Sequence, residues 1–168
     1  MSIRPEQPGD EAAVREVLLR AFDGPAEAEL VDRLRAAGAA TVSLVAELEG
    51  VIVGQILFSP VEIQGEQSNV SGVGLAPMAV LPDHQRSGIG GELVRAGLAS
   101  CRELGEMRVV VLGHPDYYPR FGFVPASTFG IGCDYDVPDD VFMAQELEPA
   151  ALHGVRGTVH YRTEFGEL

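Results

Sequence analysis

The sequence predicts an α+β fold with a mixed, mostly antiparallel sheet flanked by helices. Apolar residues recur at helical spacing near the N-terminus, two β-rich runs with a tight turn between them follow, and a long helical stripe precedes a continuous apolar strand. The 168 residues, 46% of them hydrophobic, suit one domain with a sizeable core. Because no internal repeat or linker-like stretch is found, we expect a single domain over 1–168.

The first forty residues contain two amphipathic segments. Asp10 is expected to cap a helix with one apolar face, formed by Val14, Val17, Leu18 and Ala21. Pro25 suits the first turn of a second helix, and Gly38 is placed to end it.

Strand signals follow from residue 41 onward. Segments 41–48 and 51–58 read as a hairpin, 61–63 as a further strand that extends past Pro60, and 73–81 as a fourth. Pro77 removes a backbone N–H from the fourth segment, so we expect a bulge there.

The longest predicted helix follows this strand and ends at Gly105. Its apolar stripe comprises Ile89, Leu93, Ala96, Leu98, Cys101 and Leu104. The run 108–113 has the continuous apolar character of a strand covered on both faces. Two last strands are predicted in 142–147 and 155–162, after an acidic loop at 134–140.

Charge and cysteine content exclude several classes of protein. Twelve Lys and Arg against 25 Asp and Glu give a net charge of −13, which repels nucleic acid and anionic membranes. Cys101 and Cys133 show no metal or redox spacing and read as reduced packing residues. The N-terminus lacks an apolar leader segment, so a cytoplasmic protein is expected.

The histidines do not predict a metal site. Four occur, none in an HxxxH or HExxH arrangement: His84, His114, His153 and His160. We therefore expect no metal.

One segment, 78–91, has the pattern of a ligand site: a strand that enters a glycine-containing turn at the start of the long helix. Gly88, Gly90 and Gly91 allow the backbone to approach a ligand, and the first N–H groups of a helix have no partner within it. A diphosphate suits those donors and the positive helix end. Arg86 is able to add a charge-assisted contact.

Other glycine motifs fit less well. A Walker A loop requires Gly-Lys-Ser/Thr, which the chain lacks, and a dinucleotide fingerprint requires glycine where Leu93 stands. A glycine-rich helix start that only caps and packs is the remaining alternative.

The segment Gln85-Arg86-Ser87-Gly88-Ile89-Gly90 matches the Q/R-x-x-G-x-G/A signature of the GNAT family of N-acetyltransferases, which the chain resembles. The opening from Ile3, the strand 75–82 and the segment 117–123 are also similar to its bacterial branch of small uncharacterised acetyltransferases. The resemblance runs from Ile3 to about Phe123 and is less distinctive at 157–165.

This resemblance implies that the fourth and fifth strands splay apart and that the pantetheine arm of acetyl-CoA fills the gap. A backbone N–H near Met78 or Ala79 would stabilise the oxyanion formed when an amine attacks the thioester. The implied acetyl-CoA-binding residues are Met78, Ala79, Val80, Gln85, Arg86, Ser87, Gly88, Ile89, Gly90, Gly91 and Tyr118.

The family pattern Y-x-x-x-G-F places Tyr118 four residues before Gly122, where it would protonate the leaving thiolate. Tyr118 and Met78 are thus the implied catalytic residues. The alternative for Tyr118 is simple packing with Phe121 and Phe123. Tyr117 is expected to point about 100° away, as neighbours on a helical turn do.

Family members often carry a glutamate base on the strand before the loop, but 73–81 contains no acidic residue. Water, His84, His114 or Glu27 would have to take the proton of the amine.

The acceptor is expected to be a primary amine of a small molecule or peptide. Its pocket is expected from 22–29, 64–71 and the acidic loop, and a homodimer is common in the family. A non-catalytic acyl-CoA-binding module of the same fold and an unrelated nucleotide-binding protein are the alternatives.

Overall fold

A computed structural model describes residues 1–166, in which three α-helices pack on one nine-stranded sheet. The helices are α1 (Glu11–Ala21), α2 (Ala26–Ala36) and α3 (Ile89–Glu103). The strands are β1 (Ser2–Pro5), β2 (Val42–Leu48), β3 (Val51–Gln64), β4 (Asn69–Val80), β5 (Arg108–Leu112), β6 (Val124–Pro125), β7 (Ile131–Cys133), β8 (Phe142–Glu146) and β9 (Gly157–Tyr161).

The sheet is mixed and mostly antiparallel, as predicted. Its main path runs β1-β2-β3-β4-β5-β8-β6, and β9 pairs with both β3 and β7. Only the β4–β5 and β7–β9 pairs are parallel among the described strands. No helix within residues 1–166 is long and apolar enough to cross a bilayer.

The segments 51–58 and 61–63, predicted as two strands, form the single strand β3. Pro60 interrupts neither its course nor its pairing with β4. On the other edge of β3, β2 pairing stops at Phe58 and β9 pairing begins at Val61. Pro60 therefore lies between the ends of these two pairings, where no strand on this edge needs a hydrogen bond from its missing N–H. This arrangement depends on distant strands and cannot be seen in the local sequence.

The N-terminal segment forms a strand that was not predicted, and the cap expected at Asp10 differs. Residues 2–5 form β1, which pairs with β2 through Ile3 and Ala46. Asp10 occupies the N-cap position of α1, but its carboxylate does not bond to the first turn of the helix. It accepts instead from Arg4 at 2.8 Å and from the N–H of Gln7 at 2.7 Å.

The bulge expected at Pro77 is present. Ile56 pairs with Met78 and Phe58 with Leu75, so β4 holds one more residue than β3 in this interval. The Ala76–Pro77 peptide is cis. This irregularity coincides with the last pairing of β4 to β5.

Strands β4 and β5 splay apart as expected. Their parallel pairing covers Val73 to Leu75 on β4, yet β4 continues to Val80. The backbone from Ala76 onward is therefore free of β5 on that side. Helix α3 covers one face of the sheet closely, with Gly97 against the Phe58 ring and Leu93 against Gly54.

Candidate active site

The loop between β4 and α3 forms a cradle of backbone donors. Arg86 and Gly88 have left-handed backbones, with φ of 62° and 91°, and α3 begins at Ile89. None of the N–H groups of residues 86–91 donates to another group in residues 1–166. Six free donors at the positive end of a helix form a site for an anion.

Other side chains shape this loop. The Gln85 side-chain amide donates to the Val80 carbonyl at 3.0 Å, and the Ser87 hydroxyl donates to the carbonyl of His84. The Ile89 side chain is buried against Gly54. Ser87 and Ile89 thus hold the loop and the helix start in place, and their side chains do not border the cavity described below.

The last residues of β4 expose backbone groups toward the gap between β4 and β5. The Leu81 N–H donates to the Val53 carbonyl at 2.8 Å, and Ala79 pairs with Gln55. Because backbone groups alternate along a strand, Met78 and Val80 direct theirs away from β3. The Val80 carbonyl is already bonded to Gln85, so Met78 presents both its N–H and its C=O.

A cavity of about 1140 Å³ opens at this splay. Most of the acetyl-CoA-binding residues predicted from the sequence line it: Met78, Ala79, Val80, Gln85, Arg86, Gly88, Gly90, Gly91 and Tyr118. The three side chains named as possible bases, Glu27, His84 and His114, also line it. Segments distant in sequence are thus brought together at one opening.

The cavity is lined from both faces of the sheet. Gly90 lies on the α3 face, beside Met78. Tyr161 packs on Gly74, which pairs with Ser59, the neighbour of the α3-facing Phe58. Successive strand residues face opposite sides, so Tyr161 is on the face opposite to α3. The opening therefore joins a helix N-terminus on one side to an aromatic region on the other.

Tyr118 lines the same cavity. Its ring is 8% exposed and packs edge-on against Phe123, with centroids 5.7 Å apart. A Cβ on Gly113 would collide with this ring, so glycine there allows the tyrosine its position. Burial raises the pKa of the Tyr118 hydroxyl to about 12, so it stays protonated well above neutral pH. A protonated hydroxyl at the cavity wall is a suitable proton donor.

Tyr117, set aside in the sequence analysis, also lines the cavity. Its ring packs edge-on against that of Tyr118, with centroids 5.1 Å apart. However, its hydroxyl lies 2.9 Å from the position that a Cβ on Gly90 would take. The spacing of residues on a helical turn predicts the direction of the Tyr117 side chain but not what it packs against. The contact with Gly90 was therefore missed.

Two arginines on the α3 side were also missed. Arg95 lies over the Phe121 ring at 5.1 Å and Arg120 over the Tyr117 ring at 5.7 Å. Both line the cavity. The position of Arg95, one turn after Gly91, was the available signal, because i and i+4 residues share a helix face.

The opposite half of the cavity differs from the prediction in one segment. Residues 22–29 and the acidic loop contribute to it, but the loop at 64–71 does not border it. Strands β3 and β4 stay paired as far as Gln64 and Asn69, which carries their turn to the far end of the hairpin. Tyr161 and Phe165 from the C-terminal segment occupy that wall instead.

Metal ligands are not assembled in the part of the chain that the structure describes. In residues 1–166, no three side chains among His, Cys, Asp and Glu come together in a way that could hold an ion.

Residues 39–125 match the family model of the acetyltransferase (GNAT) domain. The chain belongs to the GNAT family. It is 40% identical over 169 residues to the uncharacterized N-acetyltransferase YhbS of Escherichia coli (strain K12), with all of both chains covered. It is also 40% identical over 153 residues to YjhQ of the same strain, covering 86% of this chain and 84% of YjhQ. These relatives and the domain identify this GNAT protein as an N-acetyltransferase.

Solved structures of GNAT proteins show the same fold. The 1.55 Å crystal structure of YhbS from E. coli in complex with CoA superimposes with a TM-score of 0.93 at 39% identity, covering 99% of this chain and 92% of that chain. A GNAT acetyltransferase from Brucella melitensis in complex with acetyl-CoA gives 0.81 at 39% identity, covering 98% and 97%.

Proposed function

We propose that this GNAT protein transfers an acetyl group from acetyl-CoA to a primary amine of a small molecule or peptide, acting as one catalytic domain. The observation that carries the proposal is the splay cavity, where the free N–H groups of 86–91, the exposed Met78 backbone and Tyr118 meet. The CoA and acetyl-CoA complexes of the two solved relatives support the choice of donor.

The donor site follows from the distribution of polar groups. The diphosphate is held by the backbone N–H groups of Arg86 to Gly91, with the Arg86 side chain adding positive charge. The pantetheine amides bond to the open edge of β4 at Met78 and Val80, as an added strand would. Ala79 packs beneath them, and Gln85, Ser87 and Ile89 hold the loop in its binding shape.

The chemistry is a direct attack. The neutral amine nitrogen bonds to the thioester carbonyl carbon, the carbon–sulfur bond breaks, and the nitrogen loses one proton to water or to a nearby base. The Met78 N–H stabilises the oxyanion that develops at the carbonyl. The Tyr118 hydroxyl gives its proton to the leaving sulfur and recovers one from water. The products are an amide and free CoA thiol.

An acceptor screen with thiol detection tests the proposal. We expect thiol release from acetyl-CoA that requires both enzyme and amine, with formation of the N-acetyl product by mass spectrometry. Acetyl-CoA should also raise the melting temperature more than ADP-ribose, because only acetyl-CoA carries the pantetheine arm. Acetyl-CoA binding without turnover of any amine would instead favour a non-catalytic acyl-CoA-binding module. Stabilisation by ADP-ribose alone would favour a different nucleotide-binding protein.

A further inference from the structure

The half of the cavity opposite α3, called here the acceptor half, is predominantly apolar. Its side chains come from the residue after α1, from α2, from the acidic loop and from the C-terminal segment: Phe22, Glu27, Leu30, Tyr135, Tyr161 and Phe165. The Tyr161 ring lies 5.8 Å from that of Tyr135 and 5.0 Å from that of Phe165. These connected rings offer a broad surface for an apolar or aromatic body.

The acceptor half contains one carboxylate. Glu27 lines it, is half-buried, and has no hydrogen-bond or ion-pair partner in the described chain. Although the protein carries a net charge of −13, the acidic loop turns its apolar Tyr135 and Val137 toward the cavity and not its aspartates. Asp134 contacts His160 at 2.6 Å, and Asp139 accepts from Ser127 at 2.8 Å. A single carboxylate suits a single ammonium group.

The three arginines that line the cavity lie in the other half. Arg86 is in the phosphate loop, Arg95 is in contact distance of Gly91, and Arg120 lies over Tyr117, whose hydroxyl touches Gly90. A carboxylate on the acceptor would therefore face Glu27 and find no arginine or lysine in the acceptor half. Leaving such a charge unpaired in a partly buried site is unfavourable.

We infer that the acceptor is a primary monoamine with an aromatic or bulky apolar body and no carboxylate, of the type of 2-phenylethylamine. Glu27 binds the ammonium group, and Tyr135, Tyr161 and Phe165 contact the apolar body. This inference rests on the proposed acetyl transfer and specifies its substrate class. Polyamines and aminoglycosides are disfavoured because they carry several ammonium groups and the acceptor half provides one carboxylate. Amino acids are disfavoured because their own carboxylate would face Glu27.

A substrate comparison tests this class. We expect kcat/KM for 2-phenylethylamine to exceed that for phenylalanine, spermidine and kanamycin by at least about tenfold, the scale of one unpaired charged contact. Equal or better turnover of any of the three, or of a peptide N-terminus, would overturn the inference while leaving acetyl transfer intact. Acetyl-CoA binding without turnover of 2-phenylethylamine would overturn the inference too. Failure to bind acetyl-CoA would overturn the proposed function itself.

Variants locate the ammonium contact. Glu27→Gln should raise KM for 2-phenylethylamine about tenfold or more and weaken its calorimetric affinity equally in the presence of CoA. The control Asp136→Asn removes an exposed carboxylate of the acidic loop that does not line the cavity, and should change neither value. An unchanged affinity in Glu27→Gln, or a loss confined to kcat, would contradict ammonium binding by Glu27.

A second variant tests the apolar wall. Tyr135→Ala removes a half-buried ring outside the main core. It should weaken the binding of 2-phenylethylamine more than the binding of ethylamine. An equal loss for both amines would contradict contact between this ring and the apolar body.

Discussion

Tyr118 combines a buried ring with a hydroxyl at the cavity wall, and the two features have different causes. Packing against Gly113 and Phe123 fixes the ring, whereas the splay of β4 from β5 opens the space in front of it. Simple packing, the alternative considered from the sequence, is therefore compatible with a catalytic role. The pattern Y-x-x-x-G-F predicted the residue, but the sequence could not show the glycine beneath the ring.

Removal of the Tyr118 hydroxyl tests its role in catalysis. Tyr118→Phe should lower kcat about 100-fold, at the lower end of general-acid contributions, with little change in acetyl-CoA affinity. Steady-state kinetics at saturating amine and calorimetric titration with acetyl-CoA measure the two effects. Tyr117→Phe is the matched control, since its hydroxyl lies on Gly90 and any effect should fall on the acetyl-CoA KM. Unchanged turnover in Tyr118→Phe would remove this residue from the mechanism.

The pH dependence of turnover follows from the raised pKa of Tyr118. Burial favours the neutral phenol, so the hydroxyl keeps its proton up to about pH 12 instead of losing it near 10. We expect kcat to rise with pH as the bound amine loses its proton, without a descending limb before about pH 10. Rate profiles from pH 6 to 10 measure this. A descending limb near pH 8 that disappears in Tyr118→Phe would show that the phenol ionises early.

At the scale of elements, the strand–loop–helix unit was the part that sequence predicted best. Glycines, helix periodicity and Pro77 are local signals, and they gave the loop, α3 and the bulge. The sequence analysis counted β3 as two strands, because continuity through Pro60 depends on which strand borders the other edge. The short strands β6 and β7 were missed, since two or three residues carry no periodicity.

Gly88 sets the turn from which α3 starts. Its φ of 91° is unfavourable for any residue with a side chain, while no atom lies within 4 Å of a Cβ placed there. Gly88→Ala should therefore cost about 1–2 kcal/mol of unfolding free energy through backbone strain and also weaken acetyl-CoA binding, because the N–H cradle shifts. Denaturant unfolding and calorimetry measure the two effects.

Gly105 provides the matched control for this change. It ends the same helix with φ of 85° and equally open surroundings. Gly105→Ala should lower stability by a similar amount and leave acetyl-CoA affinity unchanged. Equal affinity losses in both variants would mean that the loop geometry at Gly88 has no specific role in binding.

Helix α3 must lie close to the sheet for its N-terminus to reach the splay. Gly97 makes this possible, because a Cβ there would overlap the Phe58 ring. Gly97→Ala should destabilise the protein by about 1–3 kcal/mol through overpacking, as measured by chemical denaturation. Adding Phe58→Leu should recover part of that loss. Additive losses in the double variant would show that the two residues do not share the constraint.

At the scale of the whole molecule, the net charge of −13 does not reflect how charged side chains are distributed within the cavity. Three arginines border the half near α3, and one glutamate borders the acceptor half. Bulk composition gave no information about this division. The acceptor half was predicted only in part, because Tyr161 and Phe165 reach it through the pairing of β9 with β3, a long-range contact.

A crystal structure of the protein with acetyl-CoA is the most direct test of the donor site. We predict diphosphate oxygens about 2.7–3.2 Å from backbone nitrogens of residues 86–91 and the thioester carbonyl beside the Met78 N–H. Acetyl-CoA bound elsewhere, or a diphosphate held only by side chains with these nitrogens out of reach, would contradict the account.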